Sequence, residues 1–282
     1  VTMLQRSPTY FVSRPDEDRV ALFLKKFLPK SLVYALIRFK NVYIQQSLFK
    51  RVRAFPDRSK KFLIDQVKKE LPDFDVDKHF TPSYNPWEQR MCLIPNSDFF
   101  NAIKDKSATV VTDHIEAFEE NGIKLKSGDF LEADIIVTAT GLVLQNFGGV
   151  NISVNNNPVN VSETMTYKSL MYSDIPNFVN SFGYINASWT LKADLTSTYL
   201  CRLIKHMDQN NYLSACPKKP LDVDETYDWL KDFSSGYIQR SIGLHPQQGS
   251  KKPWVNYQDY IKDWFDVKFS KLEDGNLVFS KD

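Results

Sequence analysis

Asp134-Ile135-Ile136-Val137-Thr138-Ala139-Thr140-Gly141 is the stretch on which the fold turns. Four consecutive β-branched residues, Ile135 to Thr138, suit a strand buried on both faces, as at the centre of a parallel sheet. Gly141 then admits a bend or a close backbone approach where a Cβ would clash. In open α/β sheets, ligands sit just beyond such carboxyl ends of strands. An ordinary buried strand ending in a turn also accounts for these eight residues, and on them alone it is the plainer reading.

Working outward, the hairpin turn Ser127-Gly128-Asp129 joins two strands and feeds the expected strand at 134–138. Before it come a strand at Thr109–Thr112 and a helix from Asp98 to Lys104. Residues 1–7 read as a strand ending in Gln5, Arg6 and Ser7, with Pro8 blocking continuation into a helix. Residues 16–54 are helical in pattern, with Val20, Phe23, Leu24, Phe27, Leu28, Leu32 and Leu36 at three- and four-residue spacing. Lys25, Lys26, Lys30, Arg38, Lys40, Lys50, Arg51 and Arg53 lie between the apolar positions. Such a basic helical region can rest on a membrane surface or face a partner, although a solvated face is the commoner meaning. Another helix spans Ser59–Leu71. Beyond Gly141 come a strand-like Phe178–Phe182, a helix from Thr190 to Asn210, and a polar stretch at 214–226 that reads as a linker. The chain therefore divides into 1–140, 141–213 and a C-terminal extension, 214–282, in an α/β architecture with a helical insertion at 16–71.

Composition narrows the function. With 42% hydrophobic and 25% charged residues the chain is an ordinary globular protein, and its 282 residues suffice for two lobes. A formal charge of +2 gives no electrostatic grip on nucleic acid. Cys92, Cys201 and Cys216 have neither disulfide nor zinc spacing, so no metal is expected and a reducing cytoplasm is the default. No uncharged run approaches a membrane span. The first glycine is Gly122, and no G-x-G-x-x-G phosphate loop occurs anywhere. The chain opens directly in a strand-like segment and so reads as the C-terminal part of a longer protein.

Three clusters carry candidate chemistry. Arg6 with Ser7, at the end of a strand, is the arrangement that holds the ribose 2′-phosphate of NADP, or else a plain surface arginine. Arg90 follows Asn85-Pro86-Trp87-Glu88-Gln89 in a polar, aromatic loop, where a permanent charge can stabilise a developing anion or pair with Glu88. Asn186-Ala187-Ser188-Trp189-Thr190 opens a helix, so Ser188 or Thr190 can cap it, or its free N–H groups can meet an anion or a cofactor carbonyl. His79 is the one histidine in the suspicious loop, and a solvated or capping role is the simpler account. No Ser/His/Asp order or H-E-x-x-H motif points to a hydrolase.

Taken together, the sequence resembles the class B flavin-dependent monooxygenases of Baeyer–Villiger type, and is especially similar to the ethionamide-activating subgroup. The resemblance rests on four stretches in family order: Val1–Pro8, Asp77–Pro82 through Asn85–Leu93, Ala133–Leu142, and Gly183–Leu195. It implies a two-dinucleotide-binding, Rossmann-like fold, incomplete here because both phosphate loops lie upstream in the family. It implies FAD and NADPH as cofactors, with O2 trapped as a C4a-peroxyflavin that attacks a ketone or oxidises a sulfur in a small-molecule substrate. By position, Arg90 matches the family's catalytic arginine, and Gln5, Arg6 and Ser7 match residues at the NADP 2′-phosphate. Ala139-Thr140-Gly141 matches the crossing between nicotinamide and flavin domains, and Asn186, Ala187, Ser188, Trp189 and Thr190 match a segment beside the flavin ring. Gln89 departs from the lysine that many members place there to help hold the 2′-phosphate. Two alternatives stay open: an N- or S-oxidising flavin monooxygenase without ester formation, and a truncated, non-enzymatic binding module.

Overall fold

The computed structural model describes residues 1–219, 226–228, 230 and 233–281, in two compact units, Val1–Gly141 and Leu142–Asp282. In the first, β1 (Thr2–Gln5), β2 (Phe11–Arg14), α1 (Arg19–Leu24), α2 (Lys30–Ala54), α3 (Pro56–Glu70) and α4 (Val76–His79) precede β3 (Cys92–Pro95), α5 (Asp98–Lys104) and β4 (Thr109–Thr112). Two parallel pairs form, β1 with β4 and β2 with β3, in registers Thr2↔Thr109 and Phe11↔Cys92. Parallel pairing demands crossovers long enough for helices, and α1–α3 and α5 occupy those crossovers. The core beneath them contains Val67, Leu71, Val76, Phe80, Ile94, Phe100, Ile103 and Val110. Phe11 anchors an aromatic cluster there, edge-on to Phe80 at 5.3 Å and stacked on Phe99 at 5.4 Å.

An antiparallel meander of β5 (Ile115–Glu119), β6 (Gly122–Leu125) and β7 (Phe130–Glu132) follows. Gly122 is needed where β6 meets β7, because a Cβ there would lie 2.0 Å from the Leu131 carbonyl oxygen. The expected strand at 134–138 does not form among the described residues. Ile135 and Val137 are 83% and 85% exposed, and the chain runs unpaired to Gly141, whose φ is +102°. The β-branched run has the composition of a two-sided strand, but no described strand offers it an edge, and a strand exists only through its ladder.

The second unit begins with a hairpin of β8 (Ser153–Val154) and β9 (Asn157–Pro158). Asn155 and Asn156 make its turn in left-handed conformations, φ 51° and 65°, which asparagine tolerates better than most residues. Then come β10 (Thr166–Tyr167), β11 (Met171–Tyr172), α6 (Trp189–Asn210), β12 (Ser214–Pro217), β13 (Thr226–Asp228), α7 (Gly236–Gln239), β14 (Gln247–Gly249), α8 (Tyr260–Phe269) and β15 (Leu277–Ser280). Two sequence expectations fail here. Phe178–Phe182 is irregular, with the Asn180 N–H donating to the Leu170 carbonyl instead of to a ladder. Ser214–Pro217 is no linker: it pairs antiparallel with β15, while 220–225 of that expected linker fall outside the described residues.

Helix α6 buries Lys192, Leu195, Thr196, Tyr199 and Leu203, a stripe at helical spacing that packs against α8. Lys192 is admitted to that stripe because its Nζ lies 2.8 Å from Asp263 Oδ2, and the Tyr184 hydroxyl donates to the same oxygen at 2.6 Å. Burial and the Asp263 carboxylate hold the Tyr184 phenol far above its ordinary range, so it remains a donor. Removing one member of a buried pair leaves an uncompensated charge, a loss of about 3–5 kcal/mol. Urea denaturation of Asp263→Ala is therefore expected to show a loss of that order, with the double change Lys192→Met, Asp263→Leu recovering much of it; equal losses in both would contradict this.

Candidate functional site

In the first unit, Gln5, Arg6 and Ser7 stand at the carboxyl end of a parallel strand, the position expected for ligand contact. Arg6 and Ser7 are exposed, and no carboxylate within salt-bridge distance of Arg6 is found among the described residues. Gln5 points into the fold: its Nε2 donates to the His79 carbonyl at 2.7 Å and to Thr112 Oγ1 at 2.9 Å. That leaves the Thr112 hydroxyl its own proton for His79 Nδ1, 2.8 Å away. Burial, with help from Lys78, lowers the His79 pKa, so the imidazole is held neutral.

Two residues past Ser7, the chain is tied to the loop that carries Arg90. The Tyr10 hydroxyl donates to the Tyr84 carbonyl at 2.6 Å, the Tyr84 hydroxyl donates to Thr9 Oγ1 at 2.9 Å, and Thr9 Oγ1 reaches the Arg90 carbonyl at 3.4 Å. The Cys92 N–H then donates to the Tyr10 carbonyl at 2.8 Å as β3 begins. The Asn85–Arg90 turn itself is closed by Glu88, whose carboxylate accepts from the Asn85 N–H and from Asn85 Nδ2, both at 2.9 Å. These donors, the backbone N–H above all, hold the Glu88 carboxyl below its ordinary range, and Arg53 and Lys60 lower it further. Closing the turn places Trp87 in a left-handed conformation, φ 69°, a strained state for a bulky residue. Its indole packs edge-on against Phe49 of α2 at 5.5 Å. Arg90 is exposed at the end of this braced turn.

Ala139, Thr140 and Gly141 are exposed and without regular structure at the end of the first unit. Asn186 to Thr190 belong to the second. There Ser188 occupies the N-cap position of α6 in an extended conformation but makes no capping bond, because its hydroxyl meets Thr190 Oγ1 at 2.7 Å. The helix therefore presents its first turn without a side-chain cap, the arrangement that suits an electron-rich ligand. Trp189 packs on Phe182 at 4.8 Å and crosses Gly183, where a Cβ would fall 2.1 Å from the indole. Buried Asn186 donates from Nδ2 to the Gln258 carbonyl, and the Ile185 N–H donates to Gln258 Oε1, both at 2.9 Å. Sequence reasoning missed Gln258, as it missed the Thr9–Tyr10–Tyr84 brace. Tyr84 at least lay in the suspicious loop, whereas Gln258, more than 70 residues from its partners, gave no signal.

No family model matches the chain. Over 283 aligned residues it is 46% identical to "FAD-containing monooxygenase EthA" of Mycobacterium tuberculosis, covering all of this chain and 58% of that protein. The chain is homologous to part of an FAD-containing monooxygenase. It is also 41% identical to "Probable FAD-binding monooxygenase AlmA" of Acinetobacter baylyi, across all of its length and 56% of that protein's. The chain thus spans rather more than half the length of the curated relatives it matches. Among solved structures it is similar to "Oxidized steroid monooxygenase bound to NADP", with a TM-score of 0.69 at 16% identity over all of this chain and 62% of that one. A complex of OTEMO with FAD and NADP matches with a TM-score of 0.62 at 15% identity, over 99% of this chain and 62% of that chain. The fold is that of the matching part of these dinucleotide-binding monooxygenases.

The Gln5–Thr112–His79 network carries a pH signature. A histidine whose folded pKa is lowered stabilises the fold fully above its unfolded value, about 6.5, and loses that contribution as pH falls below it. The melting temperature is therefore expected to drop between pH 7.5 and pH 5.5, and His79→Asn, which keeps an acceptor near Nδ1 but cannot be protonated, is expected to drop less. An identical slope in both proteins would assign the pH dependence elsewhere.

Proposed function

We propose that this chain forms part of an FAD- and NADPH-dependent monooxygenase that inserts one atom of O2 into a ketone, giving an ester or lactone, or oxidises a sulfur. The observation that carries this reading is the 46% identity to an FAD-containing monooxygenase along the whole chain. In the net reaction NADPH supplies two electrons, one oxygen atom enters the substrate, and the other leaves as water. The bound flavin supplies the oxygen-activating chemistry.

The residues present fit those cofactors. Arg6 and Ser7, exposed at a strand end with no carboxylate on the guanidinium, suit the 2′-phosphate of NADPH through charge-assisted hydrogen bonds. The uncapped start of α6, with Ser188 and Thr190 engaged with each other, suits an electron-rich ring carbonyl. Asn186 positions that segment through Gln258. Arg90 offers a permanent positive charge, on a turn that cannot easily relax, to an oxyanion developing on the ketone carbon. Ala139-Thr140-Gly141 supplies the side-chain-poor crossing between the nucleotide-binding parts.

Two measurements on the FAD-loaded enzyme test this reading. Arg90→Ala is expected to lower ester formation by about 10²–10³-fold, the loss typical of an oxyanion-stabilising group, while NADPH binding persists. Unchanged ester formation would remove Arg90 from the chemistry, and an enzyme that oxidises thioethers but never ketones would select the sulfur-oxidising reading. Arg6→Ala is expected to raise the KM for NADPH about tenfold and leave that for NADH nearly unchanged, since NADH has no 2′-phosphate; parallel changes would contradict the assignment.

A further inference from the structure

Between Arg19 and Arg53 the chain carries nine Lys or Arg residues and no Asp or Glu. The same region exposes large apolar and aromatic side chains to an unusual degree. Along the 25 residues of α2 only Val33, Gln46 and Val52 are buried. Phe27 and Phe39 are 70% and 72% exposed, and Phe23, Tyr34 and Tyr43 are exposed with them. The rings sit in pairs one helical turn apart: Phe23 with Phe27 at 5.2 Å, and Phe39 stacked on Tyr43 at 6.3 Å. Lys25, Lys26 and Lys30 surround Phe27 at the turn between α1 and α2, all three exposed.

This surface is held in shape. Asp18 caps α1 through the N–H groups of Val20 and Ala21, and its other oxygen takes Lys40 of α2 at 2.5 Å. A merely solvated helical face mixes charges of both signs and keeps its aromatics inward. Here one sign of charge is interleaved with outward aromatics, the pattern of a helix lying in a membrane interface, where apolar rings enter the headgroup boundary and cations meet anionic lipid. No helix among the described residues is long and apolar enough to cross a membrane. We propose that α1 and α2 form a peripheral docking surface for anionic lipid membranes, with the Phe23–Phe27 end inserted and Lys25, Lys26 and Lys30 on the headgroups. This assignment does not rest on the monooxygenase reading.

The test is co-sedimentation of the 282-residue chain with vesicles of phosphatidylcholine alone and of phosphatidylcholine mixed with phosphatidylglycerol. Partitioning onto the anionic vesicles is expected to exceed that onto neutral ones at least tenfold, and to fall steeply as salt shortens the Debye length toward about 3 Å. The triple change Lys25→Glu, Lys26→Glu, Lys30→Glu is expected to abolish the preference, at about fivefold per cation removed. Phe27→Ser should weaken binding at low salt, and matching melting curves would show both variants folded. The salt arm uses the unaltered chain and so holds even if a variant fails to fold. Equal sedimentation with both vesicles, none with either, salt-independent binding, or a stable dimer that leaves vesicles unbound would overturn the proposal.

Discussion

A single carboxylate, Glu88, gives the Asn85–Arg90 turn its one shape, and the role proposed for Arg90 depends on that closure. Its two oxygens take both donors of Asn85, and the turn tightens until Trp87 is left-handed. Such a conformation persists only where the surroundings over-determine it. Here the surroundings are Phe49 against the indole and the Tyr10–Tyr84–Thr9 hydrogen bonds, which lead back to the strand end carrying Arg6 and Ser7. The segments carrying Arg6 and Arg90, far apart in sequence, are thereby tied to each other through Thr9 and Tyr84. Preorganisation of this kind is what an electrostatic catalytic role requires, because a charge that must first be positioned stabilises little.

The second unit solves a similar problem with buried polar groups. Asp263 on α8 collects Lys192 of α6 and Tyr184, while Gln258, just before α8, holds Ile185 and Asn186. The segment entering α6 is thus fixed from both sides by residues about 70 positions later in the chain. That arrangement also explains why the first turn of α6 needs no side-chain cap for its placement. The helix start is oriented by tertiary bonds and carries no side-chain cap.

Helices were legible where periodicity was strong. The apolar spacing predicts α3 and α6 within a few residues, because each gathers a stripe that local sequence already displays, whereas the continuous helical stretch expected over 16–54 is divided into α1 and α2 at residues 25–29. Strands were less so, because a strand's existence depends on its neighbour. Ile135–Thr138 has every compositional mark of a buried strand and pairs with nothing described, while Ser214–Pro217, with no β-branched residue, becomes a strand because Leu277–Ser280 lies beside it. At the site, residue types pointed to Arg6, Arg90 and the Asn186–Thr190 helix start. The bracing contacts did not show in sequence, since Thr9, Tyr84 and Gln258 act through distances that only folding creates. Ser188 reads as a cap by residue type, yet its hydroxyl pairs with that of Thr190 and accepts from no backbone N–H of the first turn, a choice of partner that propensity does not decide.

The most direct measurement is a crystal structure of the parent polypeptide with FAD and NADP+ bound. The account requires the Arg6 guanidinium and Ser7 to lie within hydrogen-bond distance of the 2′-phosphate and the Arg90 guanidinium to face the reactive side of the flavin from the closed Asn85–Arg90 turn. A 2′-phosphate held elsewhere, or Arg90 directed into solvent away from the ring, would contradict it.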